Sequence, residues 1–147
     1  MSKKTHANIR LYKTKSLPVP DDEVLKMLVQ FIELSAVRIG IPKEQLISVT
    51  LLSVPTDEPI TTGAFNTQDK TIRVIAQNRN MIDYARTIAH EMTHLKQLLD
   101  GELVGDIPEV GGEIEDEANA MSGRIVKSYI KNTLTPEQKK HLGLGTF

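Results

Sequence analysis

His90-Glu91-Met92-Thr93-His94 sits inside a longer run, Asn80 to Asp100, that reads as one helix closed by Gly101. Within that run Ala85, Ile88, Met92, Leu95 and Leu99 recur at spacings of three and four, the period of a stripe along one helix face. A helical wheel sets the stripe opposite His90 and His94. One side of the helix is therefore expected to be buried, and the other to present two imidazoles a turn apart, able to grip one zinc ion. Glu91 lies about 100° round the helix from His90, poorly placed as a ligand in the same plane but well placed to take a proton from a metal-bound water.

Chance has to be weighed against this. With four His and eleven Glu in 147 residues, an H-E-x-x-H turns up in about 1% of shuffled chains. The opposed apolar stripe separates the motif from such an accident, because a random His pair has no reason to face away from the buried side. Gln97 and Asp83 project from the His side too and are candidates to support the rings, although ordinary surface polarity explains them equally well.

A catalytic zinc takes three protein ligands and leaves one position open. The other histidines are His6 and His141, neither nearby in sequence, and cysteine is absent. A carboxylate is therefore expected, and the cluster Glu113-Ile114-Glu115-Asp116-Glu117-Ala118-Asn119 opens the next helix. There Ile114, Ala118, Met121, Ile125 and Tyr129 mark the buried face. Glu113, Asp116, Glu117, Arg124, Lys127 and Lys131 gather on the other. Acidic residues favour a helix N-terminus through the macrodipole, which accounts for Glu113 and Asp116. Glu115 falls at the edge of the apolar side, in line with Asn119 and Val126, where an unpaired carboxylate would be costly. The wheel favours Glu115 as third ligand and places Glu113 and Glu117, the alternatives, towards solvent.

A helix bearing H-E-x-x-H followed by a second helix with E-x-x-A-D or E-x-x-A-N resembles the gluzincin metallopeptidases. The form Glu115-Asp116-Glu117-Ala118-Asn119 is particularly similar to the ImmA/IrrE-like peptidases and to small phage-encoded metallopeptidases. The resemblance covers about residues 70 to 130 in element order, with some ten positions in specific motifs. It implies a zincin-like domain with His90, His94 and Glu115 as zinc ligands, Glu91 as catalytic base, and Asn119 hydrogen-bonded to a metal-binding His. Glu115 follows His94 by only 21 residues, enough for one reversal but not for a second domain. No clear counterpart exists for the residue that steadies the oxyanion in larger gluzincins. Tyr129 and His141 are weak candidates, each better explained as structural.

Composition bounds the rest. At 39% hydrophobic and 25% charged, residues 1–147 suffice for one domain with its own core. The net charge of −1 and pI near 6.4 argue against nonspecific nucleic-acid binding, despite the basic start at Lys3, Lys4, Arg10, Lys13 and Lys15. No signal-peptide run and no membrane-length apolar stretch occur, and without cysteine there are no disulfides. A cytoplasmic or virion-associated protein with no membrane partner is expected, with residues 1–7 loosely ordered.

The remaining segments read as an α+β scaffold. A short strand at Asn8 to Lys13 precedes a helix over roughly Glu23 to Arg38, with Val24, Leu28, Phe31, Ile32 and Ser35 spaced for burial and Gly40 as stop. Leu46 to Val54, Thr61 to Asn66 and Thr71 to Ala76 read as strands, with a turn at Pro55 to Pro59 and a hairpin at Asn66 to Lys70. Thr71 to Ala76 is the candidate for a strand whose free edge could pair with an extended peptide, against the alternative of an internal strand. Thr135-Pro136-Glu137-Gln138 should cap a short closing helix ending near Gly143. The expected function is zinc-dependent hydrolysis of a peptide or protein substrate. The alternatives are a noncatalytic or regulatory binding module on the same scaffold, in which Glu91 is dispensable, and an enzyme acting on a non-peptide amide.

Overall fold

A computed structural model describes residues 8–14, 17, 20–53, 62–103 and 112–144. The expectations for residues 1–7 and for the turn at 55–59 fall outside these. The elements run β1 (Ile9–Lys13), α1 (Asp22–Ile39), β2 (Ile47–Leu52), β3 (Gly63–Phe65), β4 (Thr71–Ile75), α2 (Met81–Leu99) and α3 (Glu113–Ser128). A single π turn (Tyr129–Thr133) and a short α4 (Pro136–His141) follow. The expected α+β arrangement of four helices with a small sheet is present, and no helix among the described residues is long and apolar enough to cross a membrane.

Local chemistry accounts for the helix ends. The Asp21 carboxylate accepts from the Val24 amide at 2.9 Å to start α1, and Gly40, at φ 92°, ends it in the left-handed conformation that glycine adopts without steric cost. Asn80 starts α2 by accepting from the Asp83 amide at 3.0 Å. Thr135 and Gln138 form a reciprocal capping box with Pro136 in the first turn of α4.

The sheet order is β1-β2-β4-β3, with β1, β2 and β4 parallel and β3 antiparallel to β4. The β3–β4 hairpin turns where expected: the Asn66 side chain accepts from the amides of Gln68 and Asp69, and Lys70 takes a positive φ of 60°. Alternation along β2 and β4 sends Ile47, Val49, Leu51, Ile72 and Val74 to one face, where α1 and α2 cover them. Phe31 and Leu28 of α1, Ile88, Met92 and Leu95 of α2, and Ile125 and Val126 of α3 complete this core. On the opposite face of the sheet the described residues form a small apolar cluster of Leu52, Ile75 and Ala64.

One correction concerns the strand proposed to have a free edge. Thr71–Ile75 is internal, flanked by β2 and β3, because its apolar alternation is used against the helices while both its edges are paired. The edge strand on this side is β3, which the sequence marks only weakly with three residues. Its Gly63 lies so close to α2 that a Cβ there would sit 2.5 Å from Thr87 Cγ2 and 3.2 Å from the Arg73 carbonyl oxygen.

Gly63→Ala is therefore expected to destabilise the protein by about 1–3 kcal/mol in urea denaturation, the usual range for overpacking. Adding Thr87→Ser, which removes the offending methyl, should recover part of that loss. A double variant no more stable than Gly63→Ala would place the limit at the Arg73 carbonyl instead.

Candidate metal centre

The wheel treats the histidine side of α2 as its outer face, but tertiary packing closes it. Glu91, Thr93, His94 and Gln97 are all buried along with most of the apolar stripe; α3 covers His94 and Gln97, and β3 lies against Glu91. His94 is 1% exposed, while His90, one turn earlier, keeps 19% side-chain exposure at the lip of a cleft. The two rings meet edge to face with centroids 4.9 Å apart. One ligand atom from each of His90, Glu91 and His94 lies within 4.8 Å of the others, close enough to hold a metal ion.

From α3, Glu115 comes to the same point. Its Oε1 lies 3.1 Å from His90 Nε2 and 2.6 Å from His94 Nε2. Glu113 and Glu117 are both exposed, as expected, although Glu117 also accepts from Gln97 Nε2 at 2.7 Å. Of the three glutamates that the wheel weighed, Glu115 alone is brought to both imidazoles.

Gln97 decides how those imidazoles are oriented. Its Nε2 donates to the Ile114 carbonyl at 3.0 Å and to Glu117 Oε1 at 2.7 Å, both pure acceptors, so the amide can be oriented in only one way. Its Oε1 then faces His94 Nδ1 at 2.7 Å and requires that nitrogen to donate. A neutral His94 consequently turns the lone pair of Nε2 towards a carboxylate oxygen only 2.6 Å away. Two acceptors cannot share that approach without a cation between them, either a proton or a metal ion. The weak polarity signal at Gln97 in the sequence thus belongs to a fully engaged buried amide that ties His94 to the backbone immediately before Glu115.

The cleft beside His90 has a volume of about 220 Å³ and is lined by Thr62, Arg86, Thr87, His90, Glu91, Asn119 and Ser122. Burial pushes the Glu91 carboxyl up to about 8, helped by the negative charge of Glu115. Burial, and then the charge of His94, hold His90 below the ordinary imidazole value, opposed by Glu115 and by a hydrogen bond that the His90 ring donates to the Asn119 side chain. Asn119 therefore contacts His90, one of the two histidines the family resemblance offered it. The Ser122 hydroxyl, buried and not singled out by the sequence, donates to the Asn119 carbonyl at 3.1 Å.

The two weak candidates for oxyanion support have structural positions. Tyr129 is buried against Phe31, edge to face at 5.1 Å, and donates to the Met27 carbonyl at 3.0 Å; its burial pushes the phenol up to about 12. His141 pairs with Asp21 at 2.8 Å and helps to hold α4 to the start of α1. Asp83 lends only its amide and carbonyl, to the Asn80 cap, Arg79 and Thr87. No family model matches the chain, and neither curated proteins nor solved structures contain a significant match.

Two outcomes are expected. Gln97→Leu should weaken metal binding 10- to 100-fold in a competition titration, because His94 loses its orienting acceptor and α3 its tie to α2. In chelator-treated protein, Glu91→Gln should raise the melting temperature at pH 8.5 and have little effect near pH 4. The sign follows from the raised carboxyl: the folded state favours the protonated form, so wild-type stability falls as pH rises from the ordinary 4.5 to about 8. A variant with the same pH–stability curve as wild type would contradict this.

Proposed function

We propose that the chain is a single-zinc metallopeptidase of the gluzincin type, with His90, His94 and Glu115 as ligands and Glu91 as general base. The observation that carries this reading is the meeting of both Nε2 atoms with one carboxylate oxygen while Gln97 occupies His94 Nδ1. Such a point calls for a cation. Two imidazoles and a carboxylate form a nitrogen–oxygen donor set suited to zinc, and the chain offers no thiolate. The Glu115 oxygen stands 3.1 and 2.6 Å from the two Nε2 atoms, so the three groups would hold an ion after moving apart slightly, the His94–Glu115 pair most.

When bound, zinc would supply Lewis acidity, polarising a carbonyl and lowering the pKa of a water towards about 7. The chain's own groups supply the rest. Gln97 and Asn119 hold the two imidazoles in place, and the Glu91 carboxylate takes a proton from the attacking water and returns it to the leaving nitrogen. The packing of Gly63 against Thr87 keeps β3 close over Glu91, whose Oε2 is 3.6 Å from where a Cβ on Gly63 would lie. An extended substrate pairing with the outer edge of β3 would pass the base at short range.

Zinc content and hydrolysis of an unbiased peptide library test the reading together. Glu91→Gln should keep stoichiometric zinc and lose about 10²–10⁴-fold in rate, the range for a general base. Glu115→Ala should lose the metal and Glu113→Ala should keep it. Zinc-loaded wild type that is as inert as Glu91→Gln would point to the noncatalytic binding module instead.

A further inference from the structure

Arg86 lies four residues before His90 on α2, on the same side of the helix and about 6 Å along its axis. It lines the cleft together with His90 and Glu91 and is the only permanently cationic side chain among the described residues to do so. Across the cleft on α3, Gly123 leaves room for it: a Cβ there would stand 3.8 Å from Arg86 Nη1, an ordinary van der Waals contact. The guanidinium rests over bare backbone.

Among the described residues it also has no partner. Arg86 is exposed, and it makes no hydrogen bond or ion pair with any described residue, even though Asp83 sits three residues earlier at the spacing of a helix ion pair. Arg79, the nearest comparison, is engaged through both terminal nitrogens. It donates to the carbonyls of Ile75 and Asp83 and to the Thr87 hydroxyl, and so braces the start of α2. One arginine is structural, and the other faces the cleft with its donors unused by any described residue.

We propose that Arg86 forms a carboxylate subsite beside the metal centre, so that the preferred peptide carries a carboxylate close to the scissile bond. A guanidinium presents paired N–H groups that match a carboxylate in planar, bidentate geometry. An extended peptide advances about 3.3 Å per residue, so the 6 Å offset from His90 places that carboxylate within about two residues of the reacting carbonyl. Either the C-terminal carboxylate of a short peptide or an Asp or Glu side chain supplies this chemistry. The neighbouring Thr62, Thr87 and Ser122 add neutral polar walls and no competing charge.

The substrate wording rests on the peptidase reading, whereas the subsite itself does not. Its test therefore measures binding to full-length Glu91→Gln, with and without zinc, by calorimetry. Three probes are compared: N-acetyl-triglycine, its C-terminal amide, and N-acetyl-Gly-Asp-Gly amide. At least one carboxylate peptide should bind roughly tenfold tighter than the neutral amide, with the better of the two showing which source is used. Adding Arg86→Gln should bring that ratio close to one while leaving the affinity of the neutral peptide unchanged. Arg86→Lys should keep part of the preference, since it retains the charge without the fork. Equal binding of all three probes, undetectable binding of both carboxylate peptides at millimolar concentration, or a preference that survives Arg86→Gln would each overturn the proposal. None of these outcomes depends on whether peptides are cleaved.

Discussion

The structure is organised by the cost of burying polar groups between α2 and α3. His94 and Gln97 are removed from water almost completely, and an unsatisfied polar group in such a place costs several kcal/mol. Each therefore needs a partner from the opposing helix. Gln97 takes the Ile114 carbonyl and Glu117, His94 takes Gln97 and Glu115, and together these bonds set the register of α3 on α2. Any slip of one residue would turn Glu115 away from the imidazoles and strand the amide of Gln97.

The rest of the fold makes that junction rigid. The parallel strands β2 and β4 present a continuous apolar face to α2, so one side of the helix is held by Ile88, Met92 and Leu95 while the other is free to carry chemistry. Asn80 fixes where the helix begins, Arg79 braces its first turns, and Gly63 lets β3 approach the turn that carries Glu91. On the far side of α3, Tyr129 locks the helix end to α1 through the Met27 carbonyl. The ring of contacts closes through α1, so the position of Glu115 is supported at both ends of its helix.

Much of this was legible from residue order. The caps of α1 and α4, the hairpin at Asn66 to Lys70 and the extents of the long helices all follow from local rules, because turn chemistry and 3.6-residue periodicity are short-range properties. The pairing of Glu115 with the two histidines was legible as well, since the apolar face of α3 leaves only one acidic position at its edge. Other features were not. A wheel cannot distinguish a solvent-facing polar side from one covered by another helix, so the burial of Gln97 and the capture of Glu117 went unread. Strand order is equally nonlocal: β4 has the composition of a cleft strand, yet the three-residue β3 holds the edge. The π turn after Ser128 has no sequence mark beyond the proline that follows.

Sequence alone determined the donor types, their spacing of one helical turn, the carboxylate beside the first histidine and the faces on which the two helices bury. These are properties of single helices, and the helical repeat carries them without reference to anything distant. The tertiary structure decided which nitrogen of His94 is committed to Gln97, which strand lies over Glu91, and which of two arginines has no partner among the described residues. Each of those depends on groups far apart along the chain meeting in a space closed to water, where an unmet hydrogen bond costs enough to choose among alternatives that a helical wheel leaves equal.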